Sequence, residues 1–259
     1  MNSCLLLNQR KTPLNAQHTK KLFWGKYIYK VVLRIPKISV LRYSHLRQSF
    51  LTTLFNSETL EEWMAKGKMS FYYPQDENIR AKKLLWNHRF ELHKFVSLIT
   101  KYKSEKVDIK FRFEGSTVSL CFNDQQVYDE LVKSLSNVLD LISWPKNEHH
   151  RKFLVANPLS EIVNEYPYSV YTHKINLRGY KPLDNSTKEN FADWIKNYPD
   201  FKVTDASLKQ IKKGFIGNGK FIYSTNTKDV LLLQMFLGDN IKDITTYKLE
   251  REIDANTNN

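Results

Sequence analysis

The feature that most constrains the fold is a basic strand pattern that occurs twice in the chain. The segments KYIYKVVLRI (26–35) and YTHKINLRGY (171–180) share the pattern Tyr-x-x-Lys-(Val/Ile)-x-Leu-Arg. Both alternate apolar and polar side chains, which is typical of a β-strand with one buried face. Because the two segments lie far apart in the sequence, they indicate that the chain builds a similar unit twice.

Two further correspondences follow in the same order along the chain. LEEWMAK (60–66) matches FADWIKN (191–197), since each has an acidic residue before a Trp and an apolar residue after it. VSLCFNDQQVYDELVKSL (118–135) matches FIYSTNTKDVLLLQMFL (221–237) as a strand, an Asn and then a helix. The shared order favours two related lobes over a chance similarity.

Each lobe is predicted to contain a strand, two helices, further strands, a helix and a closing strand. This alternation predicts an α+β fold with two related lobes, each a mostly antiparallel sheet packed with helices on one face. A basic N-terminal arm precedes them. The predicted bounds are 1–25 for the extended arm, 26–145 for the first lobe, 146–157 for a linker and 158–259 for the second, shorter lobe.

Local signals place several elements within this plan. Residues 107–122 have the alternation of a hairpin that turns around Glu114-Gly115-Ser116. Asn123 or Asp124 is expected to cap a helix that ends near residue 135. Residues 77–103 have a mostly helical pattern, Asn218-Gly219 predicts a second hairpin, and the last residues are expected to fray.

The two basic strands should present their cationic side chains away from the core. Side chains alternate between the two faces of a strand, so Lys30 and Arg34 lie opposite Tyr29, Val31 and Leu33. In the second strand, Lys174 and Arg178 are expected on the outer face, and the core-facing residues are Tyr171, His173, Ile175 and Leu177.

The positive charge of the chain is concentrated near the N-terminus. The net charge is +13, and residues 1–57 contain ten Lys and Arg residues but no Asp or Glu. A basic balance this uneven predicts a polyanionic partner or an anionic membrane surface. A solvated tail that aids solubility and an organellar import segment are the alternatives.

The expected phosphate contacts lie in the N-terminal segment, on the outer strand faces and near the Asn218-Gly219 turn. Arg42 and Arg47 would lie near the start of a helix, where free backbone N–H groups also attract anions. Aromatic residues between the basic ones offer stacking surfaces for bases, or anchors for a core or an interface. The candidate nucleic-acid-binding residues are Lys20, Lys21, Lys26, Lys30, Arg34, Lys37, Arg42, Arg47, Lys174, Arg178, Lys209, Lys212, Lys213 and Lys220.

The sequence lacks the common signatures of enzymes and metal sites. GNGK has neither the spacing nor the trailing Ser or Thr of a phosphate-binding loop. No Cys-x-x-Cys, His-x-x-x-His or Gly-x-Ser-x-Gly is present, so no catalytic residue, metal ligand or cofactor is predicted. The sequence contains no run of 18 apolar residues, the length that a transmembrane helix needs, so no transmembrane segment is predicted.

The sequence therefore predicts a non-enzymatic basic protein that binds DNA or RNA mainly through phosphates. The first alternative is a structural component of a viral particle or ribonucleoprotein, with a basic docking arm and protein partners. The second is an enzyme with an unrecognised site. Few Ala, Gly and Pro and many Lys, Asn and Ile are typical of AT-rich coding genomes, including those of many phages and viruses. A nucleic-acid-binding protein or a component of such an assembly is expected inside a cell or within a virion.

Overall fold

The computed structural model describes residues 15–39, 51–66, 75–178, 185–213 and 220–255. These residues form two compact units, which we call the first lobe and the second lobe. The first lobe holds the chain up to Thr19 and from Tyr27 to Pro145. The second lobe holds Lys20–Lys26 and the chain from Lys146 onward.

The first lobe contains a five-stranded sheet with the order β1-β5-β2-β4-β3. β1 pairs parallel with β5, and the remaining neighbours are antiparallel. The strands are β1 (Asn15–His18), β2 (Tyr29–Arg34), β3 (Lys110–Glu114), β4 (Thr117–Phe122) and β5 (Leu139–Trp144). The helices are α1 (residues 51–56), α2 (Leu60–Lys66), α3 (Gln75–Asn87), α4 (Arg89–Ser104) and α5 (Gln125–Ser134), followed by a 3-10 turn at Ser136–Val138.

The second lobe contains a five-stranded sheet with the order β6-β10-β7-β9-β8. β6 pairs parallel with β10, and the other pairs are antiparallel. The strands are β6 (Ser160–Val163), β7 (His173–Leu177), β8 (Phe201–Val203), β9 (Phe221–Ser224) and β10 (Ile241–Leu249). The helices are α6 (Glu148–Ala156), α7 (Asn185–Asn197), α8 (Asp205–Lys212), α9 (Thr227–Leu237) and α10 (Glu250–Ala255), with 3-10 turns at Pro167–Ser169 and Gly238–Asn240.

The two lobes have the same strand order and the same strand directions. The second to fifth strands of each lobe follow a β-α-β-β-α-β plan like that of ferredoxin-like domains, with two departures. In the first lobe α1 to α4 together form the first crossover, and in the second lobe α8 lies between β8 and β9. The first strand of each lobe adds a parallel edge beside the last. The predicted fold class, with two related lobes that each pack helices against a mostly antiparallel sheet, is confirmed.

Caps define the equivalent helices α5 and α9. The carboxylate of Asp124 accepts the backbone N–H groups of Gln126 and Val127 at the start of α5, and the Asn226 side chain accepts the N–H of Asp229 in α9. These bonds satisfy donors that the first helical turn leaves unpaired. The repeated Asn has a different role in the first lobe, because the Asn123 side chain accepts the backbone N–H of Ile28.

The alternation of the basic strands places each hydrophobic core on one side of its sheet. In β2, Val31 and Leu33 are fully buried and Arg34 is exposed. In β7, His173, Ile175 and Leu177 are buried, and Ile175 and Leu177 pack with residues of α7, α8 and α9. Burying a Val, Leu or Ile side chain contributes about 1.5–3 kcal/mol, so these contacts fix which face of each sheet looks away from the core.

Several local predictions are corrected by the structure. The segment 146–157, expected to be a linker, contains α6, because Asn147 caps the helix by accepting the N–H of His150 and Leu154 is buried. The proposed arm includes strand β1, and Leu22 is also buried. The edge strands β1, β6 and β8 are too short to give a periodic signal. Glu250–Ala255 form α10, and the last four residues, which are expected to fray, lie outside the described residues. The Asn218-Gly219 turn and the first 14 residues of the arm lie outside the described residues.

Candidate functional site

The outer face of the second sheet, which lies opposite α7 and α9, combines lysines with aromatic rings. Strand register sets one cross-strand row: Thr245 on β10 pairs with Lys174 on β7, which pairs with Tyr223 on β9, which pairs with Lys202 on β8. Neighbouring strands are about 4.8 Å apart. The row therefore places a cation on each side of the Tyr223 ring.

Four aromatic side chains, which we call the ring cluster, meet on this face: Tyr168, Tyr171, Phe221 and Tyr223. The Tyr223 centroid lies 5.2 Å from that of Phe221, 5.6 Å from that of Tyr168 and 5.9 Å from that of Tyr171. These separations are typical of aromatic pairs that attract one another. Phe221 and Tyr223 come from alternate positions of β9, which directs both rings to the same face.

The two lysines of the row contact the ring cluster. Lys174 Nζ lies 4.3 Å from the Phe221 centroid, and Lys202 Nζ lies 5.7 Å from the Tyr168 centroid. Both distances are within the range of cation–π attraction. The ammonium groups are therefore held beside the rings, and the outer face offers positive charge and aromatic surface together.

Tyr168 differs from the other rings because a connecting loop presents it. It lies in the 3-10 turn Pro167–Ser169 with φ 52° and ψ 27°, and Ser169 has φ 69°. This left-handed conformation is unfavourable for residues with a Cβ. The Tyr168 side chain is 60% exposed, whereas Tyr171 is 9% exposed. Tyr168 is thus the most accessible residue of the cluster.

Two phenols of this face, those of Tyr223 and Tyr247, have raised pKa values and stay protonated at neutral pH. Burial, followed by the charge interaction with Tyr168, raises the pKa of Tyr223. Burial also raises the pKa of Tyr247, whose phenol interacts with that of Tyr223. The phenols therefore add hydrogen-bonding capacity without negative charge.

Acidic groups of the same sheet lie on β6, on β10 and just before β8, and they have partners. Glu161 accepts a bond from Lys21 Nζ at 3.3 Å, and Asp243 accepts one from Asn176 Nδ2. Asp200, which directly precedes β8, accepts a bond from Thr225 Oγ1 at 3.1 Å. These three carboxylates are therefore already hydrogen-bonded within the protein.

The outer face of the first sheet repeats the row with different chemistry. In the first sheet the corresponding row consists of Ser143, Lys30, Cys121 and Lys110. These residues take the positions of Thr245, Lys174, Tyr223 and Lys202, in that order. Arg34 donates to both Asp140 carboxylate oxygens at 2.8 and 3.0 Å, which raises the pKa of Arg34. Arg112 pairs with Glu114 at 2.5 Å. This face places a buried thiol between its lysines, and two of its arginines already bind carboxylates.

The structure distributes the predicted binding residues over several elements. Lys30 and Arg34 lie on β2 and Lys37 follows it in the first lobe, whereas Lys174 lies on β7 with Arg178 just after it. Lys20, Lys21 and Lys26 belong to the second lobe, where Lys20 donates to Asn164. Lys209, Lys212 and Lys213 lie at the end of α8, where Lys212 pairs with Asp193 at 3.0 Å, and Lys220 precedes β9. Arg42 and Arg47 lie outside the described residues.

Sequence reasoning missed Lys202, Tyr168 and the pair Phe221 and Tyr223. The alternation in KFIYS was a usable signal, since Ile222 is buried and the flanking aromatics therefore share the other face. Continued back to Tyr171, the alternation of β7 predicts that this ring faces the core. β7 begins only at His173, and the Tyr171 ring instead stacks on Tyr223 of the outer face.

One group of potential metal ligands is present among the residues that the structure describes: His150, Glu250 and Asp254. Lys146 Nζ already binds it, at 2.6 Å from Glu250 and 3.0 Å from Asp254. These contacts raise the pKa of Lys146 and lower those of both carboxyls. We interpret the group as an ion-pair network between α6 and α10.

Within the described ranges, no helix has the length and apolar character needed to cross a membrane. Comparisons of the chain with protein-family models, curated proteins and solved structures found no match. Function is therefore inferred from the chemistry of the two outer faces.

Proposed function

We propose that this protein binds nucleic acid and that the outer face of its second sheet is the principal contact surface. The observation that carries the proposal is the row Lys174–Tyr223–Lys202 together with the adjoining ring cluster. Lysines neutralise phosphates as mobile point charges, and aromatic side chains stack on bases. The outer face of the second sheet offers both kinds of group within one cross-strand row and the rings beside it.

The charge of the whole chain supports this proposal. A net charge of +13 raises the local concentration of any polyanion and speeds its association. Lys30 on the first sheet and the basic N-terminal segment would add contacts that do not depend on base sequence. The proposed activity involves no chemical step, and it places the protein wherever its nucleic acid is, inside a cell or within a virion.

The test is equilibrium binding to fluorescein-labelled DNA and RNA oligonucleotides over a range of salt concentrations. If about six phosphates are neutralised, affinity should fall about a thousandfold between about 50 and 200 mM salt. Failure to bind any form of DNA or RNA at low salt would refute the proposal.

A second candidate function, that of a component of a larger assembly, is favoured by α9. Its residues Leu231, Met235 and Phe236 are 57%, 83% and 45% exposed. The equivalent helix α5 exposes Gln125, Gln126 and Asp129 instead. Contiguous exposed apolar groups often mark protein interfaces, so α9 would contact a protein partner.

Sedimentation velocity tests this second candidate. If the exposed α9 residues mediate self-association, the parent protein should form concentration-dependent oligomers, and Met235→Lys should shift it toward the monomer. Val155→Lys is a matched control, because Val155 is also exposed but lies on α6. If the parent protein is monomeric at all concentrations, self-assembly through α9 is excluded.

A further inference from the structure

We infer that the nucleic acid recognised by the second sheet is single-stranded, with bases stacking on Tyr168 and Phe221. This inference rests on the proposed function and specifies its ligand class. In a duplex the base faces are covered by neighbouring base pairs. Stacking on a protein ring requires unstacked bases, which single strands, loops and ends provide.

The geometry of the ring cluster leaves stacking positions on its outermost member. The ring of Tyr168 meets those of Tyr171 and Tyr223 at interplanar angles of 85° and 70°. Neither neighbour lies parallel to it, so neither takes the place of a stacked base. Phe221 likewise meets Tyr223 at 64°. Lys174 Nζ lies over one face of Phe221, 4.3 Å from the centroid. A base parallel to Tyr168, or to the other face of Phe221, would add a parallel contact that these ring pairs do not provide.

The backbone of Tyr168 supports a binding role more strongly than a structural one. Its left-handed conformation costs roughly 1–2 kcal/mol for a residue with a Cβ. The ring contacts Tyr171, Tyr223 and Lys202, yet the residue is still 60% exposed, so these contacts bury only part of it. Backbone strain of this kind is concentrated at binding and active sites. A bound base would bury the ring and supply the missing contact.

The lysines fit the path of a single strand. Lys174 and Lys202 lie on opposite sides of Tyr223 in one row, two strand spacings apart, which is roughly 9.6 Å between backbones. A strand that crosses the row would place phosphates near the ammonium groups and its bases over the rings between them. A rigid duplex can touch the lysines, but it cannot offer a base face to Phe221.

The test compares fluorescence anisotropy of three 20-nucleotide probes at low salt. The probes are a single strand, the matched duplex, and a single strand of abasic sites that keeps the phosphates. The parent protein is expected to bind the single strand more tightly than the other two. Tyr168→Ala and Phe221→Ala should each weaken single-strand binding about 5- to 150-fold, with little change for the abasic probe.

Controls separate stacking from folding. Tyr168→Phe keeps the ring and should bind like the parent. Phe90→Ala removes a ring that is 65% exposed on α4 of the first lobe, and it should leave affinity unchanged. Two results would overturn the inference: equal affinity for the single-stranded and abasic probes, or unchanged binding by both alanine variants. In either case the protein would still bind nucleic acid through its phosphates, so the proposed function would be unaffected. Absence of binding to all three probes would instead refute the proposed function.

Discussion

The two sheets have the same strand order and the same cross-strand row of Lys, a central residue and Lys, but they differ at the centre. The first sheet has Cys121 between Lys30 and Lys110, whereas the second has Tyr223 between Lys174 and Lys202. Two residues earlier on the same strand, and on the same face, Ser119 corresponds to Phe221. Strand register thus places the lysines in both lobes, and the residues of the fourth strand decide whether stacking is possible.

A second difference concerns the acids near the basic residues. Arg34 and Arg112 on the first sheet each bind a carboxylate, but the lysines of the second row lie against aromatic rings. An ion-paired arginine has to exchange its carboxylate for a phosphate, which reduces the gain in binding. The shared architecture therefore does not imply equal function, and the second lobe is expected to dominate binding.

The largest expected effect concerns the edge strands β1 and β6. All four residues of β1 are exposed, whereas Ile162 in β6 is 1% exposed. Ile162→Ala should lower the free energy of unfolding by about 2–5 kcal/mol because it leaves a cavity. Gln17→Ala should cost only about 1 kcal/mol, the value of its hydrogen bond to buried Ser143. Urea denaturation followed by circular dichroism measures both, and equal losses would contradict this contrast.

The second prediction compares the two lysine rows directly. The double variant Lys174→Glu/Lys202→Glu should weaken single-strand binding about a hundredfold, since each charged hydrogen bond contributes roughly 1.5 kcal/mol or more. Lys30→Glu/Lys110→Glu, which changes charge by the same amount, should weaken it no more than about tenfold. Anisotropy titrations give both affinities, and melting curves check folding. A larger loss from the first-lobe pair would reverse our assignment of the principal surface.

The third prediction uses the residue that begins each basic strand. His173, a buried histidine of the second lobe, corresponds to Tyr29 in the first, and burial lowers the pKa of His173. An unfolded histidine takes up a proton below about pH 6.5, while folded His173 does so only at lower pH. The free energy of unfolding should therefore fall as pH drops below 6.5, by at most about 1.4 kcal/mol per pH unit.

The variant His173→Gln checks this pH dependence. Glutamine keeps hydrogen-bonding capacity toward Thr172 and Thr227, which contact the imidazole at 2.8 and 3.4 Å, but it does not titrate. Denaturation at pH 7.5 and 5.5 should show a smaller difference for the variant than for the parent. An identical difference would assign the acid sensitivity to other groups.

The fold could be predicted from the sequence because the main strands and helices of both lobes are long enough to show a clear periodicity. The alternation in β2 and β7, the hairpin of β3 and β4, and the helices α5 and α7 all follow from periodicity and caps. Short edge strands were missed, since four residues do not establish a period. The ring cluster was also missed, because it depends on which residues of β7, β8 and β9 stand opposite one another. Register across strands that are far apart in sequence is fixed by tertiary packing.

The smallest expected effect tests whether ion pairing limits the first sheet. Asp140→Asn removes the carboxylate that accepts both Arg34 bonds. Because the pair is exposed, stability should change by only about 0.2–1 kcal/mol. Single-strand affinity should rise about two- to fivefold, since Arg34 becomes available to a phosphate and one negative charge is lost. Asp129→Asn removes the same charge from α5, on the opposite side of the sheet, and should give a smaller gain. If both variants bind alike, net charge alone explains the change, and the Arg34–Asp140 pair does not distinguish the lobes.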